Sequence, residues 1–290
     1  MQYMLILLTL TVIYFTPGSL EVLDNDKKFD FHECSKFFYK QKEPLGLSGQ
    51  KSARICQSYK HNGVVSQYFA TLYDRERRIP LYSAYIFKGK NKEKRPKNIT
   101  WMIEPQLAYV NLTKCMADEK AVTDQEQLIK SQAVNNDYKM LYKRNPRYNH
   151  GHLNPSMHQN TNESKNATFT LTNIVPQTVE SNLNWSAYEQ SILNVSGYYK
   201  CFEIFLITGV IPTKIDPSER VNIPSHVWSA YCCVDQNGMP IKNGAAWILN
   251  TVTSLPQSLR LQELENILQE VPFFENNIQI FYEGCAKSFI

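Results

Sequence analysis

The chain has 290 residues and a formal net charge of +4, from 31 basic and 27 acidic side chains. Hydrophobic residues make up 43% of it and aromatic residues 12%, which excludes a disordered or collagen-like chain and allows a sizeable core. The small positive charge identifies no class of partner, although it would not repel an acidic polymer.

The N-terminus carries an apolar segment typical of secreted proteins. Residues 1–18 contain no charged side chain, and residues 4–15 form a largely apolar run that is too short to span a bilayer comfortably. We therefore predict a signal peptide over residues 1–18, a single mature domain over residues 19–290, and a secreted protein without stable membrane insertion. The alternative for this segment is a buried N-terminal strand or helix.

Cysteines and glycosylation sequons indicate the same compartment. Seven cysteines follow residue 18, and in an oxidising compartment most would pair, leaving one thiol over or one intermolecular bridge. None has the Cys-x-x-Cys spacing, so we expect no zinc ribbon. Six Asn-x-Ser/Thr sequons occur, of which we expect about half to carry a glycan: Asn98, Asn111, Asn162, Asn166, Asn184 and Asn194.

The predicted elements are mostly strands. Runs rich in β-branched and aromatic residues predict strands over residues 64–72, 80–87, 168–174, 201–210, 227–234 and 245–251. Helices are predicted over residues 123–134, 185–193 and 259–269, and Asn237-Gly238 predicts a hairpin turn. Because the strands do not alternate regularly with helices, we predict an α+β fold with a mainly antiparallel sheet.

The most basic stretch is residues 88–97, with six Lys or Arg side chains and one Glu. Such a run is compatible with a solvated loop, and also with a surface that contacts phosphates.

Three of the six histidines, His150, His152 and His158, fall within nine residues, after the basic and aromatic stretch 142–148. Three imidazoles could bind zinc. Alternatively, one histidine is a general base beside a hard metal ion held by oxygen ligands from the following helix. A surface loop that happens to be rich in histidine is the third interpretation. The residues alone leave all three open.

A second motif follows, Thr-Phe-Thr-Leu-Thr-Asn-Ile-Val-Pro-Gln over residues 168–177 and then Asn182, Trp185 and Glu189. Together with Gly-His-Leu-Asn-Pro at 151–155, it resembles the DNA/RNA non-specific endonuclease family. The family pattern is Asp-Arg-Gly-His, a strand ending Thr-Asn-x-x-Pro-Gln, and a helix with Asn, Trp and Glu. Further segments are similar to its animal endonuclease-domain-containing branch: 34–39, 68–74, 80–85 and 101–107. The resemblance implies a ββα-metal (His-Me) finger.

The resemblance also implies a role for each matching residue. His152 corresponds to the catalytic histidine that takes a proton from the attacking water. Asn182 would be the direct protein ligand of Mg²⁺, for which Mn²⁺ can substitute, and Glu189 would order the surrounding water. The spacing between Asn182 and Trp185 departs from the family by one residue, so Asn184 is an alternative ligand; Trp185 is expected in the core.

One departure affects the catalytic strand. Asn149-His150 stands where the family has Asp-Arg, and that arginine stabilises charge on the phosphate. His150 can replace it only when protonated. A second family arginine, further upstream, could correspond to Arg95 or Lys97. We also predict that two basic residues before the motif contact nucleic acid: Arg144 and Arg147.

The implied function is a secreted, Mg²⁺-dependent endonuclease that hydrolyses DNA or RNA with little sequence specificity and leaves 5′-phosphates. The alternative is a weakened nuclease fold that binds nucleic acid or protein without turnover. Retention of His152, Asn182 and Glu189 together favours the active enzyme. In that case His158→Ala is expected to be nearly silent.

Overall fold

The computed structural model of the chain describes residues 31–49, 51–89, 96 and 99–285. The predicted signal peptide and the candidate contacts Arg95 and Lys97 lie outside these ranges. Within them, no helix is both long enough and apolar enough to cross a membrane.

A seven-stranded antiparallel sheet forms the centre of the fold. The described strands, in chain order, are β1 Ser52–His61, β2 Val64–Asp74, β3 Ile79–Ile86, β4 Tyr148–His152, β5 Ile174–Thr178, β6 Glu203–Ile211, β7 His226–Val234, β8 Pro240–Leu249 and β9 Gln257–Leu259. The large sheet has the order β1-β2-β3-β6-β7-β8-β9, while β4 and β5 form a separate antiparallel pair. The predicted α+β fold with a mainly antiparallel sheet is confirmed.

Helices and the small hairpin cover the two faces of the large sheet. The described helices are α1 Pro105–Ala108, α2 Gln125–Ser131, α3 Asn135–Arg144, α4 Asn162–Ala167, α5 Val179–Tyr199 and α6 Leu261–Gln269. On one face, α6 buries Leu264 and Leu268, whose spacing of four residues places them on one side of the helix. On the other, Val175 of β5 and Trp185 of α5 pack with Val227 of the sheet. Trp185 is therefore a core residue, as expected.

The predicted strand over residues 168–174 is wrong. Leu171–Asn173 form a 3-10 turn, and β5 begins only at Ile174. The threonines of this stretch do not alternate between the faces of a sheet. The hydroxyls of Thr170 and Thr172 both donate to the buried carboxyl of Glu104, at 3.3 and 3.4 Å. Before Ile174, backbone pairing of this stretch is limited to the isolated bridge between Thr170 and Met102, and side-chain hydrogen bonds add to it.

The other predicted elements are present with shifted ends. The predicted helices overlap α2, α5 and α6, and the predicted strands in the large sheet overlap β2, β3, β6, β7 and β8. The Asn237-Gly238 turn joins β7 to β8, and Gly238 adopts a φ of 72°, which glycine tolerates best. Strands β1, β4 and β9 and helices α1, α3 and α4 were not predicted, and four of these six elements have six residues or fewer.

Most of the cysteines pair, as the sequence predicts. The disulfides are Cys34–Cys56, Cys201–Cys233 and Cys232–Cys285. The remaining thiol is Cys115, which is buried. Cys232 and Cys233 are neighbours on β7, so their side chains point to opposite faces of the sheet.

Candidate active site

The histidine motif lies on a ββα finger formed by β4, β5 and α5. The two strands pair antiparallel, with Asn149 opposite Gln177. Strand β5 runs directly into α5, because Thr178 is both the last strand residue and the N-cap of the helix. Its side chain accepts a hydrogen bond from the N–H of Ser181. The start of α5 is thereby held against the hairpin.

Gly151 separates the two histidines of β4 and permits close packing of the finger. A Cβ atom at this position would collide with the side chain of Gln177 on β5. Because side chains alternate along a strand, His150 and His152 point to the face opposite Gly151. The glycine of the motif therefore has a structural cause that is separate from the chemistry of the histidines.

Aromatic rings lie against both histidines. The ring of His150 is stacked on Trp101, with centroids 4.3 Å apart and planes 10° apart. It also lies 5.2 Å from Tyr138 and meets Tyr142 edge-on at 5.0 Å. The same Trp101 ring lies 5.4 Å from His152. Trp101 therefore contacts both imidazoles, which its position in the sequence did not reveal.

Hydrogen bonds fix the segment that carries Trp101. The N–H of Met102 donates to the carbonyl of Phe169 at 3.0 Å. Two residues further on, the backbone N–H of Glu104 donates to the side-chain amide of Gln132 at 2.9 Å, and that amide donates back to the Glu104 carbonyl at 2.7 Å. The ring facing the histidines is thus attached to a rigid part of the fold.

Glu104 is a buried acid beneath this segment. Its side chain is 4% exposed and forms no ion pair with the described residues. Burial raises the pKa of Glu104 to about 8, although hydrogen bonds from Thr170 and Thr172 lower it. The carboxyl is therefore mainly protonated at neutral pH. Glu104 belongs to the segment 101–107 that resembles the animal branch, but the resemblance assigned it no role.

Asn182 lies along the edge of β4 that does not pair with β5. Its Nδ2 donates to Oδ1 of Asn149 at 2.9 Å and to the carbonyl of His150 at 3.3 Å. A carbonyl can only accept a hydrogen bond, so the atom facing the His150 carbonyl must be Nδ2 of Asn182. The other atom of this amide, Oδ1, therefore points away from the strand. No described residue donates a hydrogen bond to that oxygen.

The alternative ligand Asn184 points elsewhere. Its Nδ2 donates to the carbonyl of Ser254 at 2.8 Å. Residues two apart in a helix differ in direction by about 200°, so Asn182 and Asn184 cannot both face β4. Asn149 stands where the family has aspartate, and its side-chain oxygen accepts from Asn182 as a carboxylate would.

Glu189 lies on the same side of α5 as Asn182, because seven residues make about two helical turns. The side chain is partly buried, and burial raises the pKa of Glu189 to about 8. None of the described basic side chains pairs with it. A cation bound nearby would favour its ionised form.

His158 is structural and cannot complete a zinc site. It is 1% exposed, and burial lowers its pKa to about 4, so the ring is neutral. Nε2 lies 2.9 Å from the carbonyl of Glu189 and must donate to it, which leaves Nδ1 to accept from the hydroxyl of Tyr85 at 3.1 Å. Neither nitrogen is left for a metal. That His158→Ala leaves activity nearly unchanged stays a prediction, but the variant should be less stable, since each buried partner left unsatisfied costs about 1–3 kcal/mol.

The donor set fits Mg²⁺. An outward amide oxygen and a partly buried carboxyl on one side of α5 are hard oxygen ligands of the kind that this ion prefers. In the described part of the chain, no three His, Cys, Asp or Glu side chains are grouped so that they could hold a metal ion.

The predicted phosphate contacts differ in their surroundings. Arg144, at the end of α3, forms an ion pair with Glu219 at 2.6 Å. Arg147 is exposed next to β4 and forms no ion pair with a described residue. Unlike that of Arg144, its charge is therefore not neutralised by a carboxylate of the described chain.

The hairpin and helix, with two histidines on one strand and Asn182 against its edge, define a protein of the ββα-finger class. The chain belongs to the DNA/RNA non-specific endonuclease family, whose model matches residues 53–279. The resemblance identified from the sequence is confirmed.

Two curated relatives support the animal branch of this family. The Endonuclease domain-containing 1 protein of Homo sapiens is 28% identical over 292 residues, which cover 97% of this chain and 53% of the relative. Its counterpart in Mus musculus is 30% identical over 267 residues, covering 89% and 48%. The chain thus spans about half the length of the curated relatives it matches. A crystal structure of an EndoG/EndoGI complex is similar with a TM-score of 0.46 and 16% identity, covering 73% of this chain and 83% of that chain.

Proposed function

We propose that the chain is a divalent-metal-dependent endonuclease that hydrolyses phosphodiester bonds of DNA or RNA with little sequence specificity. The observation that carries this proposal is the orientation of Asn182, whose oxygen is turned outward by hydrogen bonds to the strand that bears His150 and His152. Family membership supports a nuclease, and the outward oxygen of Asn182 supports a metal site next to the two histidines.

His152 acts as the general base and takes a proton from the water that attacks the phosphorus atom. Trp101 limits the positions that its ring can adopt. Asn182 Oδ1 would hold Mg²⁺, or Mn²⁺ in its place. The chemistry supplied by the bound ion is neutralisation of charge on a phosphate oxygen and on the departing 3′-oxygen, so the products carry 5′-phosphates.

Glu189 and His150 support this arrangement. Glu189 would accept hydrogen bonds from water around the ion, and the positive charge would ionise a carboxyl that burial otherwise keeps protonated. His150 would replace the family arginine when protonated, because a cation next to aromatic rings is stabilised by them. The exposed guanidinium of Arg147 would contact a phosphate without reading a base.

The three disulfides support function in an oxidising compartment, in agreement with the predicted secretion. The replacement of the arginine by His150 favours the second candidate, a weakened nuclease fold that binds nucleic acid or protein without turnover.

Cleavage of plasmid DNA and of RNA, with and without Mg²⁺, tests the proposal. We expect activity that chelation abolishes and that Mg²⁺ or Mn²⁺ restores. His152→Ala and Asn182→Ala should each lower the rate by about 10²- to 10⁴-fold while the proteins remain folded.

Asn184→Ala is the matched control, because it removes an asparagine of the same helix that bonds to Ser254 instead of β4. It should retain most activity. A wild-type protein that binds DNA but never cuts it with any divalent ion would establish the binding module instead. Loss of activity in Asn184→Ala but not in Asn182→Ala would reverse the choice of ligand.

A further inference from the structure

A basic cavity of about 130 Å³ lies at the turn between β2 and β3, away from the two histidines of β4. Four cationic side chains line it: Arg77, Arg78, Lys214 and Arg220. Three carboxylates line it as well: Glu76, Asp216 and Glu219. The net effect of these charges depends on which of them are already neutralised by partners.

Two of the cations are paired. Arg77 forms an ion pair with Asp74 at 3.0 Å, and Arg220 pairs with Asp137 of α3 at 2.7 Å. Two of the cavity carboxylates are paired, Glu76 with Lys51 at 2.9 Å and Glu219 with Arg144 at 2.6 Å. Asp216 accepts hydrogen bonds from the backbone and hydroxyl of Ser218 but forms no ion pair within the described chain, so its negative charge offsets one of the unpaired cations.

Arg78 and Lys214 have no such partner. Nη1 of Arg78 donates only to the backbone carbonyls of Glu76 and Arg220, at 3.2 and 3.4 Å. Its Nε is buried and makes no hydrogen bond with the described residues. Burial and the nearby Arg220 charge lower the pKa of Arg78, while Asp137 and Glu76, which are ion-paired with other cations, raise it. Lys214 is exposed at the rim and forms no ion pair within the described chain.

We propose that this cavity binds a phosphate group, held by the Arg78 guanidinium and by Lys214. A guanidinium suits this ligand because its planar set of N–H donors matches the oxygens of a phosphate. An anion would also supply the negative charge that the pairs around Arg78 do not provide. The phosphate can belong to a polynucleotide backbone or be free in solution.

Helix α3 connects this cavity to the candidate active site. Tyr138 of α3 contacts His150, and the neighbouring residue Asp137 bonds to Arg220 at the cavity. At the end of the same helix, Arg144 bonds to Glu219 of the cavity wall. A polynucleotide at the histidines can therefore continue past α3 and place a more distant phosphate in the cavity. This source of the ligand rests on the proposed function.

The test is the binding of a long DNA duplex in the presence of a chelator, so that cleavage is not required. Affinity is measured between about 50 and 200 mM salt, where each phosphate contact contributes about 0.9 to the slope of log K against log salt. Lys214→Ala should lower the magnitude of that slope by about 0.9. Arg78→Lys should keep the slope but weaken binding several-fold, because the charge remains while the paired donors are lost.

Arg260→Ala is the matched control. Arg260 is an exposed arginine that pairs with Glu263 at the start of α6. Because Arg260 does not line the cavity, its removal should change neither the slope nor the affinity. Because Lys214 is exposed, Lys214→Ala should fold. It therefore still tests the proposal if Arg78→Lys does not fold.

A second arm measures the melting temperature of wild type and Lys214→Ala with inorganic phosphate, against chloride at equal ionic strength. Stabilisation of wild type alone, with unchanged DNA binding, would support the site and assign it to free phosphate. If neither the DNA slope nor the phosphate effect differs between Lys214→Ala and wild type, the proposal is overturned. If the variants bind DNA as expected but wild type cleaves no DNA or RNA, the proposed enzymatic function is refuted while the proposed phosphate site is supported.

Discussion

Two tryptophan–histidine stacks in this protein have almost the same geometry and different surroundings. Trp101 and His150 have ring centroids 4.3 Å apart with planes at 10°. Trp247 and His226 have centroids 4.6 Å apart, also with planes at 10°. The first stack lies in the ββα finger region and the second joins β7 to β8 in the large sheet.

The surroundings of the two stacks show that the first belongs to the candidate site and the second to the packing of the sheet. Trp247 donates its indole N–H to Gln257, and burial lowers the pKa of His226, as for an ordinary half-buried ring. The Trp101 ring instead reaches a second histidine, His152, on a strand whose edge holds Asn182. A stacked histidine is therefore not a functional signal by itself. The signal is that the stacked tryptophan also contacts a second reactive group.

The largest expected difference between the stacks is in turnover. Trp101→Leu should lower kcat by about 10- to 100-fold with little change in KM. The His152 ring loses its contact with the Trp101 ring, and a small displacement of a catalytic group lowers the rate. Trp101→Phe should recover most of the rate, since an aromatic ring remains. Trp247→Leu should leave kcat within about twofold, although it removes a stack of the same geometry.

Steady-state kinetics on a defined oligonucleotide, with melting temperatures for each variant, make this comparison. Equal losses of kcat in Trp101→Leu and Trp247→Leu would mean that Trp101 only stabilises the fold.

A smaller effect is expected at His150, and it tests charge separately from stacking. His150→Arg keeps a planar group that can lie against Trp101 and adds a permanent charge, so the rate should rise several-fold. His150→Phe keeps the stack without any charge and should lower the rate. The measurement is the cleavage rate at saturating Mg²⁺. Identical rates in the two variants would show that no charge is needed at this position.

The smallest expected effect concerns the acid beneath the Trp101 segment. Because the folded protein holds a proton on Glu104 up to about pH 8, whereas an unfolded glutamate loses it near its ordinary pKa of about 4.3, ionisation weakens the folded state as the pH rises. Glu104→Gln removes this cost. The melting temperature of the variant relative to wild type should rise by a few degrees between pH ~4.5 and ~8 and then level off.

Thermal unfolding across this pH range measures the effect. A temperature difference that does not change with pH would show that Glu104 does not titrate there.

The sequence predicted the sheet more completely than the site. Runs of β-branched and aromatic residues mark strands such as β3 and β7 because those strands are buried on both faces. The prediction of a strand over residues 168–174 was wrong, because the backbone before Ile174 pairs only at the bridge between Thr170 and Met102, while Thr170 and Thr172 bond to the distant Glu104.

Within the candidate site, the resemblance pointed to His152, Asn182 and Glu189, and it favoured Asn182 without excluding Asn184 as the ligand. That choice depends on Ser254, which lies 70 residues from Asn184. The Trp101–His150 stack is likewise a contact between distant parts of the chain. Such contacts have no local pattern from which a sequence could reveal them.

The two adjacent cysteines of β7 also bear on how the sheet acquires its register. In the native pairing, Cys233 is joined to Cys201 just after α5, and Cys232 to Cys285 on the opposite face. A slip of β7 by one residue would turn every side chain of the strand to the other face and offer each cysteine the wrong partner. Disulfide formation therefore fixes β7 in the register that it has when its cysteines are oxidised. An oxidative folding pathway for this protein should contain a misbridged species in which Cys201 is joined to Cys232, and its rearrangement would require β7 to leave the sheet and turn over.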